Sequence, residues 1–273
     1  MAIFYLQISS VGRGAGRRAT AAAAYRAGER VRDERTGELH NFSRRRDVLH
    51  TEIFLPAQPG AQAAEWARSR ERLWNTAEHA EKRHNARVAR EFQVNLPAEL
   101  PPLARIALAR SFALELAERY RVAVDLAVHA PRPDSDPRNF HAHLLATTRE
   151  VTPAGLGAKA GLDMEPRERR QRQLPDHRQE FINVRERWAV LTNEARADAP
   201  MLSDSDPTAQ SLGYKPDATQ IDKAKYPKYQ AGQACANCQL YQGKPGDAAG
   251  PCPIFGGKQV SVKGWCSAYV KKA

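Results

Sequence analysis

The chain sorts its reactive residues by position. All eight histidines lie before residue 197 and all four cysteines after it. The cations divide in the same way. Residues 1–196 carry 31 Arg and only two Lys (Lys82 and Lys159), while residues 197–273 carry nine Lys and no Arg. A single domain under one compositional bias does not segregate its cations so completely. The sequence therefore reads as two modules, 1–196 and 197–273, joined near 196–200, and 273 residues are enough for both.

Charge and hydropathy narrow the classes. The first module is net +8 and the second net +3, within a total of +11. Such a surplus makes nucleic acid the first partner to consider. The mean hydropathy is −0.62. No apolar run approaches the ~18–20 residues needed to span a bilayer, so no membrane span is expected. Arg17-Arg18 followed by the apolar stretch 19–24 imitates an export signal, but it is shorter than the ~7–15-residue apolar region such signals use. The cytoplasm is the expected compartment for the chain as written.

The first module mixes periods of two and 3.6. Strands are expected at 1–10, 49–55, 88–96, 122–129 and 140–148. Helices are expected at 19–32, 61–84, 103–120 and 179–195. The last two strands flank a Pro/Asp loop at 130–139 and read as a hairpin. The expected class is α+β with an antiparallel sheet and helices.

Two constellations in this module carry chemistry. His141 and His143 sit at i and i+2 of one strand, so both imidazoles share a face. His129 ends the preceding strand, and a hairpin brings it beside them. Three neutral imidazoles on one face can hold a divalent ion with positions left for substrate oxygens. Tyr25 lies in an Ala-rich helix among Arg13, Arg17, Arg18, Arg26 and Arg30. That cluster suits a phosphodiester backbone, and a phenol beside bound phosphate and a metal ion can act as a nucleophile.

Three stretches bind these pieces together: MAIFYLQISSVGRGAGRRATAAAAYRAGER, WNTAEHAEKRHNARVAREFQVNLPAEL and NFHAHLLATTR. On them, residues 1–196 resemble the MobA/MobL (MobQ-type) plasmid relaxases of the HUH endonuclease class. The resemblance implies a Mg²⁺- or Mn²⁺-dependent DNA strand transferase acting on single-stranded plasmid DNA at an origin of transfer. Tyr25 would be the catalytic tyrosine, and His129, His141 and His143 the histidine triad. Attack by the phenol would leave a 5′-phosphotyrosine and a free 3′-hydroxyl. A phenol needs its proton removed, having a reference pKa of about 10. Glu91, on the polar face of strand 88–96, is the candidate base, and Glu52, on strand 49–55, is the second choice. Members of this family often continue well past the core, whereas the closing helix here ends near residue 195, which bears on origin binding more than on the chemistry.

The second module has few large aliphatics and needs a staple to fold. Its cysteines run Cys235-x2-Cys238-x13-Cys252-x13-Cys266. On spacing alone an iron–sulfur cluster and zinc stand level, and disulfides come third. The stretches ADAPMLSDSDPTAQSLGYKPDAT, CANCQLYQGKPGDAAGPCPIFGGK and KGWCSAYVKKA are similar to high-potential iron–sulfur proteins. The resemblance implies one [4Fe–4S] cluster on Cys235, Cys238, Cys252 and Cys266 in a small irregular domain. It implies Tyr214 packed against the cluster, and one-electron exchange with a redox partner protein. Tyr241, Phe255, Trp265 and Tyr269 are bulky residues suited to excluding water. That family is normally exported, so a separately exported module would be periplasmic. The leading reading is a relaxase joined to an electron carrier. The alternative is that only the electron carrier is functional, beside a truncated or non-catalytic DNA-binding module.

Overall fold

The computed structural model describes residues 5–57, 64–197 and 200–272. The first four residues of the strand expected at 1–10, residues 61–63 of the helix expected at 61–84, and residues 198–199 of the join lie outside the described residues. The chain forms two compact units. One comprises Met1–Leu96 and Ile106–Leu191, the other Pro97–Arg105 and Thr192–Ala273. The second unit thus gathers two short segments in addition to residues 197–273.

In the first unit, strands β1 (Leu6–Gly12), β4 (Val48–Phe54), β5 (Arg87–Asn95), β6 (Val124–His129) and β7 (His141–Thr147) form one sheet. Its order is β1-β5-β7-β6-β4 and every neighbour is antiparallel. β6 and β7 form the expected hairpin. Helices α1 (Ala19–Ala27) and α2 (Arg70–Ala80) cover one face, where Val11, Ala23, Leu73, Trp74 and Leu145 share a core. On the other face Phe92 meets Phe112 of α3 (Pro102–Tyr120), and Phe112 meets Trp188 of α5 (His177–Ala197). Both faces of β5 are therefore covered.

The helices depart from sequence expectation at identifiable residues. α1 stops at Gly28, whose φ of 65° and N–H bond to Ala24 O end the helix in the left-handed conformation that glycine adopts without strain. The residues after it become β2 (Arg30–Arg32), paired with β3 (Leu39–Asn41). The stretch expected as one long helix breaks at Ser69, which caps α2 by accepting from Arg72 N. A single 3-10 turn, Glu65–Arg68, precedes it. α2 ends at Ala80 because the following run Glu81–Asn85 has no apolar side to bury. The hairpin of β8 (Arg149–Thr152) and β9 (Gly155–Lys159) and the short α4 (Pro166–Gln171) complete this unit.

The N-terminus of α1 has no side-chain cap of its own. Glu78 of α2 supplies one from a fully buried position. Its Oε1 accepts from Ala19 N at 2.7 Å, and its Oε2 accepts from Arg13 Nε at 3.0 Å and Arg35 Nη1 at 3.2 Å. One carboxylate thereby satisfies an orphan helix donor and two cations.

Beyond the ends of α3 and α5, the second unit holds α6 (Pro207–Ser211), β10 (Ala249–Pro251) and β11 (Gln259–Ser261), joined by turns. Its core is built from the four cysteines with Tyr214, Tyr241, Phe255 and Val260.

Removing one member of a buried charge cluster strands the others. Glu78→Ala should destabilise the first unit by roughly 3–5 kcal/mol. Urea denaturation followed by tryptophan fluorescence measures this, and a loss under 1 kcal/mol would contradict the role given to Glu78.

Candidate functional site

The sheet register builds the first site. His129 is the cross-strand partner of His141, and His143 stands opposite Ala127 two residues along. All three side chains share the sheet face that α1 covers. Their ring centres lie 5.1–5.3 Å apart. Each offers a ligand atom within 4.8 Å of the others, and among the described residues this is the one such group of three or more.

Hydrogen bonds fix which nitrogen each ring keeps free. His141 Nδ1 is 3.0 Å from Asn139 O and His129 Nε2 is 2.8 Å from Arg26 O. A carbonyl oxygen only accepts, so both nitrogens carry protons. His143 Nδ1 donates to Glu91 Oε1 at 2.7 Å. The lone pairs remain on Nε2 of His141 and His143 and on Nδ1 of His129. Burial, then the neighbouring His143, pushes His129 down to about 4, and burial lowers His141 as well. A neutral imidazole is the form that ligates a cation.

Glu91 sits on the same face, opposite Leu145 of β7. Burial works against its charge, but the bonds from His143 and Arg26 outweigh burial and hold it at about 2. Arg26 clasps it with Nε at 2.5 Å and Nη2 at 2.7 Å. The polar face of its strand is not open to solvent at Glu91, because α1 lies over it. Glu52 pairs with Leu126 and so points to the opposite face. There it accepts from Arg110 Nε at 2.6 Å and contacts His50 Nε2 at 3.0 Å.

Tyr25 is in the last turn of α1 and is 37% exposed. The next residue, Arg26, ties that helix to the imidazoles twice, through its carbonyl to His129 and through Glu91 to His143. Arg132, from the loop between β6 and β7, donates to the Tyr25 phenol at 2.7 Å. Arg45 stacks on the ring 4.2 Å from its centre, and Phe42 meets it edge-on at 5.2 Å. No carboxylate contacts the phenol among the described residues. Of the arginines near Tyr25 in sequence, Arg17, Arg18 and Arg26 line with it a groove of about 700 Å³, while Arg13 is committed to Glu78. Arg45 and Arg132 were not singled out by sequence. Arg132 had one signal, its place in the loop joining the two His strands. Arg45 stood in a run of three arginines with nothing to separate them.

In the second unit, Cys235 opens a 3-10 turn that ends at Cys238, and Cys252 precedes another, Pro253–Phe255. All four thiols are unpaired and buried. They line one cavity with Tyr241, Phe255, Trp265 and Tyr269. Burial pushes the Cys266 thiol up to about 11, and burial together with the other thiols raises Cys235 too. Four such groups cannot ionise together unless cations accept their charge. Four buried thiols lining one cavity are a ligand set that a multi-iron cluster can use. Tyr214 packs in the same core, 5.4 Å from Phe255, and its hydroxyl accepts from Ser261 N at 3.0 Å.

Comparison with known proteins relates the two parts of the chain to two different families. The family model "MobA/MobL family" matches residues 17–203, more than half of the chain. The chain belongs to the MobA/MobL family. "Mobilization protein MobL" of Acidithiobacillus ferridurans is 38% identical over 220 residues, 71% of this chain and 54% of that protein. The chain thus spans about half the length of that MobA/MobL relative. A solved structure described as "Molecular Basis of Vancomycin Resistance Transfer in Staphylococcus aureus" superposes with a TM-score of 0.59 at 28% identity, covering 71% of this chain and 92% of the other. The model "High potential iron-sulfur protein" matches residues 201–273. The protein of that name from Ralstonia nicotianae is 59% identical over 80 residues, 29% of this chain and 76% of that protein. This MobA/MobL chain therefore carries a high-potential iron–sulfur segment at its C-terminal side. No helix among its described residues is long and apolar enough to cross a membrane.

The carboxylate of Glu91 gives a pH signature. A group held at about 2 when folded, against 4.5 as a free carboxyl, contributes stability above 4.5 that is lost as the pH falls toward 2. Glu91→Gln should therefore cost stability at pH 7, and the cost should shrink at pH 3. An equal cost at both values, measured by urea denaturation, would contradict the pairing.

Proposed function

We propose that the first unit cuts single-stranded DNA through Tyr25, and that the second unit carries single electrons on a [4Fe–4S] cluster. The observation that carries the first part is the convergence of His129, His141 and His143 on the sheet face against which the helix of Tyr25 is tied by Arg26. His129, His141 and His143 would hold Mg²⁺ or Mn²⁺, and the ion would polarise the scissile phosphate and stabilise the charge that develops there. The groove beside Tyr25 that Arg17 and Arg18 line takes the DNA backbone, which their charge favours. Tyr25 Oη forms a bond to phosphorus, the 3′ oxygen leaves as a hydroxyl, and the 5′ end stays on the tyrosine. One ester replaces another, so the step can run backward and rejoin the strand.

Glu91 has a different part from that of a base. A carboxylate held at about 2 and engaged by Arg26, His143 and Ser9 has little appetite for the phenol proton. Its use is to keep the His143 proton on Nδ1 and the Nε2 lone pair free, as carboxylates behind metal-ligating imidazoles do. Arg132 aims a fixed positive charge at the phenol oxygen and the phosphate beside it. The exposed phenol passes its proton to water. The substrate is plasmid DNA at an origin of transfer, which makes the cytoplasm the place of action.

In the second unit, Cys235, Cys238, Cys252 and Cys266 would bind the cluster, which would supply one-electron chemistry between its 2+ and 3+ states. Tyr241, Phe255, Trp265 and Tyr269 keep water from it. A dry shell disfavours additional negative charge and so favours that pair of states. The electron passes to and from a redox partner protein.

Both readings are open to direct measurement. Incubation with a random pool of single-stranded oligonucleotides and Mn²⁺ should give a covalent adduct on a peptide containing Tyr25, identified by mass spectrometry. Tyr25→Phe should abolish it, and an adduct that persists would refute the assignment. Anaerobically purified protein should hold roughly four iron and four sulfide per chain with an EPR signal when oxidised. Cys266→Ser should lose them, and stoichiometric zinc in the wild type would refute the cluster.

A further inference from the structure

Arg45 stands between the nucleophile and the imidazoles, and the chemistry above does not use it. Its guanidinium makes contacts in four directions. It stacks on the Tyr25 ring at 4.2 Å, and its Nη1 donates to the Tyr25 carbonyl at 2.7 Å. Its Nε donates to Asp47 Oδ1 at 2.9 Å and its Nη2 to Asp47 Oδ2. The same Nη2 donates to His129 Nδ1 at 3.1 Å.

The last contact has a consequence. His129 Nε2 is protonated and bonded to Arg26 O. Nδ1 is then the one ring atom through which His129 can bind a cation. A lone pair that accepts from Arg45 cannot ligate a metal at the same time. We infer that Arg45 is a positioning residue that a metal ion displaces from His129 while it stays on Tyr25 and Asp47, so that filling the imidazole site frees an Arg45 N–H beside the nucleophile. The inference rests on reading the three imidazoles as a metal site. The freed donor lies next to both the phenol and the cation, where a phosphate oxygen of the strand would arrive. Arg45 thus weakens metal binding, by occupying a ligand atom and by its charge, while it strengthens catalysis by fixing the Tyr25 ring.

The two effects have opposite signs, which a merely structural role would not produce. The test uses the full chain and Mn²⁺, with free ion counted by its EPR signal and binding heat by calorimetry. Arg45→Met keeps the aliphatic stem over the ring and removes the guanidinium. It should tighten Mn²⁺ binding on the order of tenfold while slowing adduct formation on single-stranded DNA by about 10²-fold. Unchanged or weaker Mn²⁺ binding would overturn the inference. Should Arg45→Met fail to fold, Arg45→Lys decides the matter. An ammonium cannot serve Asp47, the Tyr25 carbonyl and His129 together, so tighter binding by a few-fold is expected, and a wild-type affinity overturns it. If the wild-type chain takes up no Mn²⁺, the metal-site reading falls and the inference with it. If the wild type binds Mn²⁺ and the variants do not bind it more tightly, the inference alone falls.

Discussion

The buried carboxylate of Glu91 is the joint on which the first unit's site depends. It receives Arg26 from the helix that carries Tyr25 and His143 from the strand that carries two of the imidazoles. Tyr25 and the imidazoles come from elements far apart in sequence, and hydrophobic packing alone would leave their separation loosely set. A charge-assisted fork from Arg26 and one bond from His143 set it narrowly, because a buried carboxylate with unsatisfied oxygens is costly. The same bond chooses the His143 tautomer. One side chain therefore decides both where the helix of Tyr25 lies and which lone pair faces the site.

The two units meet the cost of buried polar groups in different ways. The first spends many of its arginines on carboxylates: Arg13 on Glu78, Arg26 on Glu91, Arg70 on Asp125 and Arg90 on Asp163. Guanidinium suits this work because its planar fork matches a carboxylate and stays charged. Much of the first unit's positive charge is thus internal, and the share facing the groove beside Tyr25 is smaller than the net +8 suggests. The second unit instead gathers its thiols among aromatic side chains. Four buried thiols and a ring of aromatics make a core that is complete only when something takes up the thiolate charge.

Much of this was legible in the sequence because it depends on period and spacing. The alternation in His141-Ala142-His143, and the loop returning from His129, were enough to put three imidazoles on one face. The cysteine spacing named four residues, though it did not choose between zinc and a cluster; the match of residues 201–273 to high-potential iron–sulfur proteins bears on that choice. What escaped depends on tertiary neighbours. Glu91 read as the candidate base on the polar face of its strand, because the covering of that face by α1 and the clasp of Arg26 are not written in β5. Arg45 and Arg132 act through position alone, and arginines are too frequent here for composition to mark any of them. The helices expected at 19–32 and 61–84 ran through Gly28 and Ser69 because the Ala-rich and amphipathic runs around those residues carry the stronger pattern.

The central claim is that the three imidazoles form one cation site joined to Tyr25. Anomalous diffraction at the manganese edge, on crystals of the full chain grown with Mn²⁺, tests it most directly. The account predicts one strong peak within bonding distance of Nε2 of His141, Nε2 of His143 and Nδ1 of His129, with Glu91 still on His143. A peak elsewhere, or three imidazoles that remain unbound while Mn²⁺ is in excess, would contradict it.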